Sequence, residues 1–526
     1  MQQDANTLQT RLLTLAPLLI AATFMTLAWR FIVDDSYIVN RYIVNTLSHG
    51  VVSYNPTDHV NALTSPLQYF IILALTPLFP DHWFDAFRWT CAIAIVLSLY
   101  GAAFRIFSSD KDRFVYLCLS LCSPFMAIWA VGGLETCLLA ALCQLFLAHS
   151  VRPFFNSAGA NEFLKYSIAG IAFLTRFDSV LFFFAPCLLA ILKSQDLKRT
   201  AIFLAIAALP ALAWLGFAFF YYGDIFPTSL YLKGGFATKQ LALGTVYFVF
   251  FICASGLWFF LPHLRLSPRV VEASERTPLL RDWRLWSALL VIIYGWHAGA
   301  VHMMHAYRYW VVYLPFFVYL LMGASKIRGS VSYAAMMVFQ CAVFFWAFFI
   351  GFDVNPAVVA NVLVLDRIGH HVSTEFAESR VPLWNYDTAL FGMWRTVGIE
   401  AREHWIQRGR INGPVFASPL GGVPPYFFPE SIAYDSLTGY RDHCNLAPVD
   451  VADYKLELEM EAPKGPSGEW EPVSSHAAVI DQGQTVFFNL YYRPRSATRP
   501  AAALPPRIHD KCDGAGAAPP SSMGAP

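Results

Sequence analysis

Charge is what this sequence has least of. Only 14% of its 526 residues are Asp, Glu, Lys or Arg, where soluble domains carry nearer a quarter. The charges nearly cancel, to +1 at pH 7, which argues against nucleic acid as a partner. Cysteine in polar sequence is also scarce. Cys91, Cys118, Cys122, Cys137, Cys143, Cys187, Cys253 and Cys341 stand in apolar runs and read as packing. Cys444 and Cys512 remain, and a single pair, bridged or not, sets no disulfide framework. No internal repeat is visible. No small-residue cleavage site precedes Asp34, so the stretch from Leu12 to Phe31 reads as a retained membrane helix rather than a signal peptide.

Apolar sequence fills the space that charge leaves. Hydrophobic residues make up 56% of the chain, aromatics 16%, and the mean hydropathy is +0.46. Runs of near-spanning length at 12–33, 89–107, 114–131, 134–150, 164–175, 178–192, 199–222, 244–262, 284–302, 307–324 and 331–352 predict a polytopic helical membrane protein with eleven helices. The pair at 164–192 is short for two spans. The run 66–79 is shorter than the roughly 20 residues a span needs, and charge decides its place. With 66–79 at the interface and the N-terminus inside, the inner segments hold 16 basic residues and the outer segments six. If 66–79 spanned, that bias would invert, so it is expected to be a juxtamembrane helix.

This topology gathers the polar clusters on one face, expected to be periplasmic. They are Asp34 to Asn45, Asn55 to Ser65, Gly132-Gly-Leu-Glu135, Thr175-Arg-Phe-Asp178, Tyr222 to Thr228 with Lys233, and His302 to Arg308. The inner loops are plain basic connectors. The domain reading is a transmembrane catalytic part at 1–352, a periplasmic α/β domain at 353–495 and a disordered tail at 496–526. Within the second, Ala357 to Glu378 is expected to be helical and Pro414 to Ser418 a strand before Gly421-Gly422.

Adjacent carboxylates at a membrane boundary are costly unless they work. Asp34 and Asp35 are therefore the candidate catalytic pair, one as general base on a hydroxyl, the other orienting the acceptor or supporting a divalent ion. Tyr37, Arg41 and Asn45 follow at helical spacing and, with Asn55, Thr64 and Ser65, are candidate substrate contacts. Arg176, Lys233, His305 and Arg308 supply cations of the kind a phosphate leaving group requires. Glu135, Asp178 and His302 are further candidate substrate contacts, and Asp34 and Asp35 are expected to form one wall of an outward-facing cavity whose other wall is cationic. Each has a plainer reading: Glu135 facing a helix dipole, Arg176 paired locally with Asp178, and the long cations snorkelling. His302 and His305 share a helix face, but with no third ligand in view no metal site is assigned.

The run Asp34-Asp35-Ser-Tyr-Ile with Arg41 and Asn45, then Gly50, Tyr54-Asn55 and Thr64-Ser65-Pro66-Leu67, resembles the first outer loop of GT-C-class membrane glycosyltransferases. It is most similar to the mycobacterial cell-wall arabinofuranosyltransferases and their bacterial relatives. Gly133-Leu134-Glu135-Thr136, Leu174 to Asp178, Tyr221 to Thr228 with Lys233, Arg308 with Pro315, and Pro419-x-Gly-Gly with Tyr434 to Gly439 and Asp442 extend the likeness to about residue 442. The resemblance implies a GT-C fold, a sugar carried on a polyprenyl phosphate, an envelope glycan or lipid as acceptor, and periplasmic transfer with inversion. It maps the family's acidic pair onto Asp34 and Asp35 and its phosphate-binding cations onto Arg176, Lys233 and Arg308. A pentofuranose is a candidate sugar. His59-Val-Asn61, Gln68 and Arg176-Phe-Asp178 depart from the pattern, so arabinose itself does not carry over.

The rival reading is a transporter or flippase of lipid-linked or polar solutes. Transporters place their acids at mid-membrane on broken helices, often in repeats; here the acids lie at one boundary. With Asp34 as the base, Asp34→Ala is expected to abolish transfer in membranes supplied with a polyprenyl-phosphate sugar while leaving the protein folded and inserted.

Overall fold

Each of the eleven apolar runs contains helix, and polar or proline punctuation sets where the helices stop. The computed structural model describes residues 2–56, 59–227, 230, 238–263, 282–302, 305–324, 330–349, 392–409, 414–418, 423–435, 452–459, 470–481 and 484–493. The predicted helix 357–378, the tail 496–526, Lys233, Cys444 and Cys512 lie outside the described residues.

The first run is not one straight helix. α1 (Gln2–Leu27) ends in a 3-10 turn, Phe31 and Val33 are extended, and α2 (Asp34–His49) starts again at a bend of 73°. Gly50, at φ +69°, closes α2 in the left-handed conformation that glycine adopts without cost. α3 (Pro66–Leu75) is capped by Ser65, whose hydroxyl accepts from the Gln68 amide, and has proline at its first position. At about 1.5 Å per residue its 10 residues cover roughly half the hydrocarbon thickness.

α4 (Trp83–Ile106) is long and continuous. The run 114–131 instead divides into α5 (Asp110–Ser120) and α6 (Pro124–Val131), bent by 61° where Pro124 opens the second piece. α7 (Thr136–Val151), α8 (Ala158–Thr175), α9 (Val180–Lys193) and α10 (Leu197–Tyr222) follow. α8 starts earlier than its apolar run, with Ser157 capping it, so at 18 residues it is longer than expected. Further helices cover Thr238–Ser255, Trp283–His302, Leu314–Ala324 and Ser330–Phe349. Among the described residues α4 and α10 are long and apolar enough to cross a membrane, and the two bent pairs pass the same test together. α5, α6 and most of α7 are buried in the centre, whereas α10 turns Leu209, Leu212 and Phe220 outward, as a lipid-facing helix does.

The C-terminal part contains a mixed five-stranded sheet. Its strands are β1 (Val415–Ser418), β2 (Ile432–Asp435), β3 (Tyr454–Glu459), β4 (Glu471–Asp481) and β5 (Gln484–Tyr492), in the order β2-β1-β3-β5-β4. β1 runs parallel to β2 and β3, while β5 pairs antiparallel with β3 and β4. The helix Gly392–Gln407 packs on β4, β5 and the short helix Val423–Tyr426.

Arg41 joins this domain to the membrane part. From the middle of α2 its buried guanidinium donates to the Tyr54 carbonyl (2.8 Å), Asn55 Oδ1 (3.1 Å), the Ser431 carbonyl (2.6 Å) and the Pro425 carbonyl. Asn55 mimics a backbone partner for β2: its Oδ1 accepts from the Ala433 amide (2.9 Å) and its Nδ2 donates to the Ala433 carbonyl (3.2 Å). Tyr37 packs against Tyr426 and Phe427 at the same junction. Truncating Arg41 would leave several buried carbonyls unmatched. Arg41→Ala is therefore expected to destabilise the protein by roughly 3 kcal/mol, read as a lower unfolding midpoint and faster proteolysis of the C-terminal domain.

Candidate active site

Four breaks between helices meet at one place, and each carries charge. Asp34 and Asp35 form the first turn of α2. Glu135 stands at the N-terminus of α7, Arg176 caps the C-terminus of α8 with Asp178 in the 3-10 turn that follows, and Arg308 opens a short helix to Val311.

The charges are interleaved. Asp35 Oδ2 lies 3.7 Å from Arg308 Nη1, Arg308 Nη2 is 2.8 Å from Glu135 Oε1, and Arg176 Nη1 is 3.1 Å from that same oxygen. Arg176 then forks onto Asp178 at 2.9 and 2.7 Å. The sequence suggested acids on one wall and cations on the other; folding alternates them instead, because like charges side by side in an apolar surround are far more expensive. Every guanidinium nitrogen of Arg176 is engaged by a carboxylate. Arg308 Nε contacts Thr136 Oγ1 at 3.3 Å, and its guanidinium lies 5.4 Å from the Trp129 ring centre.

The two aspartates differ. Asp34 is buried, and its Oδ1 accepts from the Val423 amide at 2.6 Å, so it holds the first residue of the short helix 423–426. The Asp35 side chain is 30% exposed, and its separation from Arg308 is beyond a direct hydrogen bond. Glu135, only 2% exposed, is the buried hub between both arginines.

The backbone around the cluster is specialised. Gly133 has φ +87°, and a Cβ there would stand 2.6 Å from the Phe84 ring and 3.1 Å from Ser36 Cβ. Its carbonyl accepts from Gln68 Nε2 (2.9 Å), while the Gly132 carbonyl accepts from the Val33 amide (3.2 Å). Ala306 and Tyr307, at φ +48° and +54°, are left-handed without being glycine, a strain of the kind that collects at functional sites. Trp129 Nε1 donates to the Ala306 carbonyl (3.0 Å), and Tyr307 packs on Phe125, Tyr247 and Phe251, so Arg308 emerges from a fixed corner.

Other predicted contacts do different work. Asn45 Nδ2 donates to the Ser53 and Tyr54 carbonyls, Arg41 and Asn55 clamp the C-terminal sheet, and Ser65 caps α3 beside an exposed Thr64. Tyr37 is buried among aromatic rings. The side chains of His302 and His305 lie outside the described residues. Among the described residues no three His, Cys, Asp or Glu side chains converge as a metal site.

Sequence reasoning overlooked Arg88. From α4 it donates to the Val131 carbonyl (2.5 Å), the Phe31 carbonyl (3.4 Å) and the Trp29 carbonyl, with its guanidinium 3.9 Å from the Trp29 ring centre. It thereby ties the break that presents Asp34 and Asp35 to the break that presents Glu135. Asn40 and Asn61, which stand in the polar clusters without an assigned role, are also placed here. Both are buried, and neither amide finds a hydrogen-bond partner among the described residues.

No protein-family model and no curated protein matches the sequence. The crystal structure of ArnT from Cupriavidus metallidurans in the apo state matches with a TM-score of 0.51 at 12% identity, over 92% of this chain and 98% of that one. The fold is ArnT-like, of the GT-C type. The chain is thus a helical membrane protein with a small C-terminal mixed sheet. ArnT bound to undecaprenyl phosphate matches over the same shares of both chains, also at 12% identity, with a TM-score of 0.48, and adds nothing to the assignment. The match reaches the GT-C fold and does not extend to the arabinofuranosyltransferase family.

Gly133 offers a direct test of the corner geometry. Gly133→Ala forces both a left-handed alanine and a clash with Phe84, and is expected to cost roughly 1–3 kcal/mol, measured as a lower unfolding midpoint of the solubilised protein.

Proposed function

We propose that this chain is an inverting glycosyltransferase that moves a sugar, a pentofuranose by the sequence likeness, from a polyprenyl-phosphate donor to a hydroxyl of an envelope glycan or lipid at the periplasmic face. The observation that carries the proposal is the loosely held, part-exposed carboxylate of Asp35 facing Arg308. A general base must keep a lone pair accessible to the acceptor, while the leaving phosphate needs a cation that is already fixed.

In this reading Asp35 takes the proton from the acceptor hydroxyl as its oxygen attacks the anomeric carbon. The carbon–oxygen bond to phosphate breaks, and polyprenyl phosphate departs with the bonding pair. Arg308 meets the phosphate charge, with Lys233 and His305 as further ligands from the sequence likeness. Glu135 and Arg176 hold Arg308 in place. Asp34 latches Val423, which reverses the roles first suggested for the two acids. Any divalent ion would fall to Asp35. The fold shared with ArnT supports the donor class, since ArnT has been crystallised with undecaprenyl phosphate.

The two acids can be separated in membranes given a polyprenyl-phosphate sugar. Asp35→Asn is expected to lower turnover by roughly 100-fold or more with an unchanged unfolding midpoint. Asp34→Asn, whose amide oxygen can still accept from Val423, is expected to keep substantial activity. The opposite pattern would return the base role to Asp34. Flux of labelled lipid-linked sugar across vesicles without glycosylated product would favour the transporter reading and overturn the enzyme.

A further inference from the structure

A second polar feature lies at the opposite end of the bundle. α7, α8 and α9 line a half-open cavity of about 190 Å³ there. Phe146, Pro186, Leu189 and Trp283 give it apolar walls, and Ser150 and Lys165 bring a hydroxyl and an ammonium. The distance from the acid cluster follows from helix geometry. Ser150 lies near the far end of α7 from Glu135, and Lys165 lies ten residues before Thr175 in α8, so the separations along the helices are about 21 and 15 Å at 1.5 Å per residue.

Lys165 is part-buried and makes no direct ion pair or hydrogen bond among the described residues, though the Glu162 carboxylate acts on it at longer range. The carboxylate one turn earlier, Glu162, is already committed. Its Oε1 accepts from Thr200 (2.5 Å) and Tyr166 (3.4 Å), and its Oε2 pairs with Arg199 at 3.2 Å. A part-buried ammonium against apolar walls calls for an anion. Arg105, Arg152, Lys198 and Arg199 lie at the same end of the helices, a basic rim suited to an anionic membrane surface. On α9, next to the lining residues Cys187 and Leu189, Leu188 and Leu192 are exposed apolar side chains on which an acyl chain can continue.

We propose that this cavity binds the headgroup of an anionic membrane phospholipid, with its phosphate on Lys165 and Ser150 and the start of its chain along Leu189 and Trp283. The site is independent of the transfer chemistry proposed above, and its failure would leave that reading intact. Phosphatidylglycerol binding to the purified full-length chain, compared with diacylglycerol by native mass spectrometry, tests it. Wild type is expected to retain one phosphatidylglycerol in preference to diacylglycerol. Lys165→Gln should weaken that binding roughly tenfold, the worth of one charge-assisted hydrogen bond. Lys165→Arg should restore it, and Lys455→Gln in β3 of the C-terminal sheet should leave it nearly unchanged. Equal binding by wild type and Lys165→Gln would overturn the proposal. Displacement of the retained lipid by inorganic phosphate would overturn the lipid source and assign the site to free phosphate.

Discussion

A charge inside an apolar bundle persists only when another charge answers it. That constraint shapes the centre of this protein. Glu135 sits almost sealed from solvent because Arg176 and Arg308 both reach it, and Arg176 tolerates its position because Asp178 takes its other edge. The series runs out at Asp35, where the pairing loosens and water begins. The inner members are paired and fix the geometry, with Glu135 reaching both arginines through one oxygen, while the last is held by position more than by contact.

The C-terminal sheet belongs to the same construction. Asp34, Arg41 and Asn55 come from α2 and the segment after it, and each has a polar atom on the backbone of 423–433. An arginine that satisfies carbonyls on both sides of a domain boundary couples the two parts: shifting one strips hydrogen bonds from the other. The helix bearing the acids is therefore braced from above by the sheet domain and from the side by Arg88.

The sequence was informative where chemistry is local. Apolar runs marked the helices, and the polar interruptions at Asp34, Glu135, Arg176 and Arg308 marked the breaks that meet, since a charge interrupting an apolar run needs a reason to be there. The alternation of charge walls was not legible, because which guanidinium meets which carboxylate depends on helix packing. Arg41 and Asn45 looked like substrate contacts by spacing, yet their partners are backbone carbonyls, which no residue pattern announces. Arg88 was counted as one outer charge among several for the same reason. The strands β3 to β5 were legible and overlooked: Tyr454-Lys-Leu-Glu-Leu-Glu459 alternates with period two, the ordinary signature of a half-buried strand.

The orientation of the breaks has an electrostatic result. Asp34 and Asp35 occupy the start of α2, Glu135 the start of α7, and Asp178 the turn leading into α9, whereas Arg176 closes the end of α8. Each carboxylate thus faces the amide end of a helix, worth roughly half a positive charge, and Arg176 faces a carbonyl end. Side chains alone leave the cluster with more carboxylates than guanidiniums. Three helix starts offset much of that excess, so the cluster presents a milder negative field than its side chains alone suggest.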